Sequence, residues 1–379
     1  STLMRSSAAS DVYKRQEERM KYEYWFAGIR NIPDRTKIKL KEKAGTAEAI
    51  YYIEETALRK MQLLKEQEIW KLLEAKKKEE LDRNYEAMRQ KGISVIPWGE
   101  KEYPGRLKEI YDPPYALYVK GKLPDDTARA AAIVGARSCT PYGEKYALEY
   151  GKKLAECGIQ VISGLARGVD GIGQRGALLG GGKTFAVLGS GVDVCYPKNH
   201  MGLYLDILEQ EGGILSELPP GTPPLPQHFP RRNRIISALS DIVLVMEARE
   251  RSGSLITADL ALEQGKDVYA LPGPVNSSLS QGCNRLIFQG AGILLSPENL
   301  LDEMGIAYSG ECEKSDKNEK MLESPEYMVY SCVGLYPKSV GQLTEETKLR
   351  PEEVLKLLVS LELQGYIREI SKNYYIKVK

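Results

Sequence analysis

From Ala130 to about Met304 the chain alternates short apolar runs with stretches of helical period. The apolar runs are AAAIVG, QVISG, TFAVLG, GILSE, DIVLVME, DVYALPG and GILLS. Helical segments such as Gly143–Cys157 and Ile256–Gln264 lie between them. Strands alternating with helices predict a mostly parallel sheet with helices on both faces. Several runs are apolar throughout, as strands covered on both faces are. In such sheets ligands bind beyond the carboxyl ends of the strands. That rule points to the loops after Val134, Ile162, Leu188 and Val245.

The flanks read differently. Residues 17–95 have apolar positions at three-to-four spacing, as in YYIEETALRKMQLLKEQEIWKLLEAKKKEE, and predict a small helical domain. Gly45 sits at a helix stop, and Thr46 is placed to cap the next helix. The segment ISVIPWGEKEYPGRLKEIYDPPYALYVKG has short strand-like runs broken by prolines. It reads as a connector packed onto the α/β unit, which therefore spans 96–308. Residues 309–324 are polar without period, a linker. Residues 325–379 predict three helices and a two-stranded ribbon, the pattern of a winged helix. The opening sixteen residues, STLMRSSAASDVYKRQ, lack periodicity and read as an adapter scar, a native tail being the alternative.

Composition narrows the classes. At 42% hydrophobic and 28% charged, the 379-residue chain is ordinary for a globular protein. No apolar run approaches the ~20 residues of a membrane span. Net charge is +1, so any polyanion site is a local cluster. Six scattered cysteines without CxxC spacing, and two histidines, argue against zinc and for reduced thiols in the cytoplasm.

The candidate chemistry lies in the loops. In AAAIVGARSC, the turn Gly135–Ala136–Arg137 can offer backbone amides and a guanidinium fork to an anion; a plain tight turn is the alternative. In VISGLARGVDG, Ser163, Gly164 and Arg167 again follow a strand, with Asp170 either in the site or capping a helix. GALLGGGKT imitates a phosphate-binding P-loop. It has Ala177 where glycine is required, and a strand rather than a helix follows, so an ATPase is excluded. Lys183 there is either positive charge at the sheet or plain surface. A proline-rich loop then delivers Arg231, Arg232, Asn233 and Arg234 to a helix start, unfavourably against the helix dipole. A bound anion, or ion pairs to Glu247 or Asp241, would relieve them. Ser252, Gly253, Ser254 and Thr257 suit another phosphate or a helix cap. The aromatic residues near these loops are few: Tyr142, Phe185, Tyr196 and Phe229. No catalytic set is apparent; His200 and His228 read as structural.

Six ordered motifs, IVGAR, SGLARGVD, AVLGSGVDVCYP, SELPPGTPPLPQHFPRRNRIISALS, EARERSGSLITADLALEQGKDVYALPG and QGCNRLIFQGA, together resemble the DNA-processing DprA (Smf) family. The likeness implies a Rossmann-like domain flanked by a SAM-like helical domain and a winged helix. It implies binding of single-stranded DNA, action beside single-strand binding protein, loading of the RecA recombinase in natural transformation, and dimers formed through the Rossmann-like domain. No cofactor and no turnover are implied. By position, Gly135–Arg137 match the family's DNA grip, Ser163 and Arg167 its second phosphate loop, and Lys183 its basic contact before the third strand. Gln174 stands where the family usually has histidine. Residues Ser324–Lys379 carry eight Lys/Arg against seven Asp/Glu. That is too neutral for a DNA-reading module and favours a protein-contact or accessory role. Alternatives are a LOG-like phosphoribohydrolase, whose Pro-Gly-Gly-x-Gly-Thr loop is absent here, and a sensor of free nucleotide.

Overall fold

All seven apolar runs become strands. The computed structural model describes residues 2–306, 324–334 and 337–378, so residues 309–323 of the expected linker and Cys312 lie outside it. The chain divides into two units, residues 1–138 with 147–299, and residues 139–146 with 300–379.

The elements begin with six helices: α1 (Thr2–Gly28), α2 (Asp34–Ala44), α3 (Ala47–Tyr52), α4 (Glu55–Met61), α5 (Glu66–Glu74) and α6 (Lys78–Gln90). The stretch set aside as a scar is therefore helical backbone continuous with α1. Thr46 caps α3 as expected, its hydroxyl accepting from Ala49 N at 3.0 Å. The proline-rich connector supplies β1 (Ile93–Pro97), the short α7 (Gly105–Lys108) and β2 (Ala116–Gly121). Then come β3 (Ala130–Val134), α8 (Pro141–Glu156), β4 (Gln160–Ser163), α9 (Val169–Leu179), β5 (Thr184–Val187), α10 (Met201–Glu209), β6 (Gly213–Ser216) and α11 (His228–Ala238). The series ends with β7 (Ile242–Val245), α12 (Gly253–Glu263), β8 (Asp267–Ala270), α13 (Gln281–Phe288), β9 (Gly292–Ile293) and α14 (Pro297–Glu303).

The sheet has nine strands in the order β1-β2-β6-β5-β4-β3-β7-β8-β9. From β6 to β9 every pairing is parallel, while β1–β2 and β2–β6 are antiparallel. Every residue of β3, β4, β5, β6 and β7 is buried, which explains their unbroken apolar runs. The chain winds from β3 outward through β4, β5 and β6, then returns to add β7 on the other side of β3. The two strands at this reversal are paired, Ala131 to Ile242 and Val134 to Val245. A crevice at their carboxyl ends is the favoured ligand position in such sheets.

The amino-terminal helices are not a bystander to the sheet. Trp25, Phe26, Ile50 and Leu72 share one core with Val95, Tyr118, Leu203 and Ile214. Each fully buried side chain of this size stabilises by about 1.5–3 kcal/mol. A buried polar cluster adds specificity: Glu23 pairs with Lys41 at 2.7 Å and accepts from Tyr115 OH at 2.5 Å. A second core joins Val134, Val187 and Val245 to Ile235, Ile236, Ala258, Ala261 and Leu286. It fixes α11, α12 and α13 against the strands and so sets the rim geometry.

In the second unit, α15 (Ser324–Cys332), α16 (Val340–Thr347) and α17 (Pro351–Leu363) pack around Val329, Leu343, Val354, Leu358 and Leu361. The expected ribbon is β11 (Ile367–Ser371) with β12 (Tyr374–Lys377), and β10 (Lys338–Ser339) adds a third strand beside β12. This is a winged helix.

Candidate functional site

A cleft of about 420 Å³ opens where β3 and β7 end. Gly135, Ala136 and Arg137 form one wall after β3. Phe229, Arg232 and Asn233 from the first turns of α11 form another. Ser252, Gly253 and Ser254 close the third at the start of α12. Eight of the fourteen residues expected to hold DNA thus share one cavity, Gly135, Ala136, Arg137, Arg232, Asn233, Ser252, Gly253 and Ser254, and Asp170, Tyr196, Phe229 and Thr257 line it with them.

The loops are held by tight packing. A Cβ on Gly135 would stand 2.7 Å from Val169 Cγ2 and 3.0 Å from Glu247 O, so close approach of α9 and the β7 loop demands glycine there. Gly168 has φ +74°, and a Cβ on it would come within 2.2 Å of Ala136 O. Leu165 has φ +55°, a left-handed conformation seldom seen outside glycine. It is pinned from two sides: its N–H donates to Gln174 Oε1 at 3.2 Å, and its carbonyl lies 3.0 Å from His200 Nδ1. Gln174 Nε2 also donates to Phe185 O at 3.2 Å. Gln174 is therefore a buried brace for this loop, and His200 is structural.

Arg232 is the centre of the site. It is only 4% exposed, yet it lines the cleft. Its Nη1 donates to Val187 O, and its Nε has no hydrogen-bond partner. Burial lowers its pKa to about 10; Asp170 opposes that shift, and the Arg137 charge adds to it. Asp170 is buried behind it, accepting from Gly164 N at 3.2 Å. It ties the preceding loop rather than capping a free helix end. Burial pushes its carboxyl up despite Arg232 and the donors around it. Arg137 is exposed, lies 5.5 Å from the Phe229 ring centroid, and has no ion pair among the described residues. Two guanidinium groups that repel each other face one cavity, a state an anion relieves.

The third wall is pre-set. Ser252 caps α12, its Oγ accepting from Ser254 N at 3.3 Å, so it serves as cap and cleft lining together. Asn233 Nδ2 donates to Gly253 O at 3.2 Å and links α11 to α12. Tyr196 packs against Phe229 with centroids 5.7 Å apart, and the two give the cleft an aromatic side. Pro224, Pro226 and Pro230 complete that side. Their part was not read from the sequence, although the proline-rich run was the signal available.

Other expected residues stand elsewhere. Ser163 is fully buried, donating to Ile133 O at 2.6 Å. Gly164 is buried against the Arg232 guanidinium. Arg167 is exposed but outside the cleft lining. Lys183 precedes β5 and so lies at the amino rim of the parallel strands, 3.5 Å from Glu211. Arg231 pairs with Asp34 at 2.8 Å and Glu217 at 3.1 Å. Arg234 pairs with Glu217 at 2.7 Å and Asp112 at 3.3 Å. These two arginines meet carboxylates, as one of the two expectations had it. The partners differ from those named, Asp241 being held by Arg106 at 3.2 Å. Phe185 is core. Tyr142 packs on Tyr146 at 4.8 Å. None of the five described cysteines is in a disulfide. No helix among the described residues is long and apolar enough to cross a membrane.

Residues 94–305 match the family model of DNA recombination-mediator protein A, and residues 313–371 that of the DprA winged helix domain. Protein Smf of Escherichia coli K12 is 39% identical over 294 residues, 76% of this chain and 78% of that protein. The crystal structure of DNA processing protein A from Streptococcus pneumoniae superposes with TM-score 0.65 at 32% identity, covering 76% of this chain and 98% of that one. DNA processing protein A from Helicobacter pylori, described for its single-stranded DNA binding mode, gives TM-score 0.50 at 32% identity over 56% of this chain and 95% of its own.

Proposed function

This chain belongs to the DNA recombination-mediator protein A family, and on that premise we propose that it binds single-stranded DNA along the β3/β7 cleft. In this reading it protects incoming strands and loads a RecA-type recombinase onto them during natural transformation, beside single-strand binding protein and in the cytoplasm. It acts by binding, without turnover. The observation that carries the reading is Arg232, a buried guanidinium lining an open cleft with an unpartnered Nε and with Arg137 nearby. A phosphate supplies the missing negative charge, and Gly253 leaves room for a backbone to approach, with nothing within 4 Å of its Cβ position. Contacts to phosphate position a strand without reading its sequence. The Tyr196–Phe229 side offers limited base stacking, worth about 1–3 kcal/mol per base where it forms.

We further propose that the protein is a homodimer through the β9 edge of its sheet. β9 pairs on one side only. Around it Phe288 is 91% exposed and Leu295 69%, with Leu262 and Ile293 also exposed.

The test is a titration of single- against double-stranded DNA of equal length across salt, for the wild type and Arg137→Ala. Preference for the single strand is expected, with the variant's log–log salt slope shallower by about 0.7 for one lost phosphate contact. Equal affinity for both forms, or an unchanged slope in the variant, overturns the reading. Release of free base from nucleoside monophosphates would instead favour a phosphoribohydrolase.

A further inference from the structure

Beyond Ser252 a second cavity of about 300 Å³ lies between α12 and α13. Ser252 is the wall it shares with the main cleft. Its apolar lining is Leu255, Ile256 and Leu286, and its polar lining includes Arg251, Arg285, Glu250, Asp259 and Gln289. Arg251 is exposed and has no ion pair among the described residues. Among the described residues Arg285 pairs only with Glu250, at 3.7 Å between two solvent-exposed side chains, a pairing worth little. The loop that presents Arg251 is clamped: Ala248 N donates to Leu279 O at 2.7 Å, and Gly282 N donates to Ala248 O at 2.9 Å. A Cβ on Gly282 would stand 2.7 Å from Ala248 O and Arg249 O, so α13 is pressed against that loop. A rigid loop loses little freedom on binding.

We propose that this cavity is a subsite for the nucleotide adjoining the one in the main cleft. The base lies against Leu255, Ile256 and Leu286, and its flanking phosphates are drawn to Arg251 and Arg285. Asp259 and Gln289 then face the polar edges of the base. The proposal rests on the single-strand reading and extends its track over the start of α12.

The test uses the full chain, a single deoxynucleoside monophosphate, an oligonucleotide of about sixteen residues, the upper end of site sizes typical of single-strand binders, and the double variant R251A/R285A. The variant is expected to bind the oligonucleotide about tenfold more weakly, with the salt slope reduced by about 1.4 for two phosphates. Binding of a single deoxynucleoside monophosphate, which reaches only the main cleft, stays unchanged. Unchanged affinity of R251A/R285A for the oligonucleotide, or equal losses on both ligands, overturns the subsite while leaving the main cleft standing. A wild type that does not bind the oligonucleotide overturns the single-strand reading, and the subsite with it.

Discussion

The Arg232 guanidinium occupies the space a side chain at position 164 would need: a Cβ on Gly164 would stand 2.2 Å from Arg232 Nη1. The glycine therefore exists to let α11 drive an arginine under the loop after β4. Gly164→Ala should displace Arg232, break its bond to Val187 O and cost about 1–3 kcal/mol by overpacking. Single-strand affinity should fall with it. Gly253→Ala is the contrasting case, since nothing lies within 4 Å of its Cβ position. Stability there should change by no more than about 0.5 kcal/mol, as for open surface sites, while a strand lying against α12 would meet the new methyl. Urea melts and oligonucleotide titrations of both variants check the pair. Equal behaviour of the two variants counts against Arg232 as the centre of the site.

Asp170 gives the site a pH signature. Burial raises its pKa above the ordinary 3.8, outweighing Arg232 and the hydrogen bonds it accepts. A carboxyl raised in the folded state favours folding while protonated. Its contribution is full below 3.8 and is lost as pH rises through the folded value. Asp170→Asn imitates the protonated form and lacks that loss. The melting temperature of the variant relative to wild type should therefore climb as pH rises from 3.8 upward. A constant difference across that window would show that Asp170 ionises as freely in the fold as outside it.

The architecture was legible because burial on both faces writes itself as continuous apolar runs, and β3 to β9 were found that way. The arginine cluster was not, for a geometric reason. Arg231, Arg232 and Arg234 start one helix, and about 100° per residue leaves Arg231 and Arg234 on one face, both reaching Glu217, while Arg232 turns away into the cleft. Their fates depend on Asp34, Glu217 and Asp112, which approach from distant parts of the chain. Sequence spacing carries no trace of such partners. Lys183 is different: preceding a parallel strand, it had to lie on the amino rim. The topology rule that directed attention to the other loops already argued against it. The docking of α1 to α6 on the sheet was also hidden, since their apolar stripes fit a separate bundle equally well.

The exposed apolar side chains beside β9 invite a partner. A Phe288→Asp, Leu295→Asp double variant should turn a dimer into a monomer in sedimentation or light scattering. Both side chains are largely solvent-exposed, so the fold should be retained. A monomeric wild type at micromolar concentration would remove the proposed edge interface.

The exposed face of the winged helix fits a protein partner better than a DNA groove. On the solvent side of α17 stand Leu355, Val359 and Leu363, the last 84% exposed, with Glu352 and Lys356 among them. Arg350 is turned to Glu353 at 2.7 Å, and Lys338 to Glu346 at the same distance. A helix that reads a groove needs cations free to reach phosphate, whereas an exposed apolar stripe at helical spacing suits a protein surface. Lys356→Glu with Lys372→Glu, which reverses charge on α17 and on the turn between β11 and β12, should leave single-strand affinity and its salt slope as in wild type. Arg137→Glu in the same assay should lower both. A slope that drops by about 0.7 for each reversed lysine would instead make this module part of the DNA track.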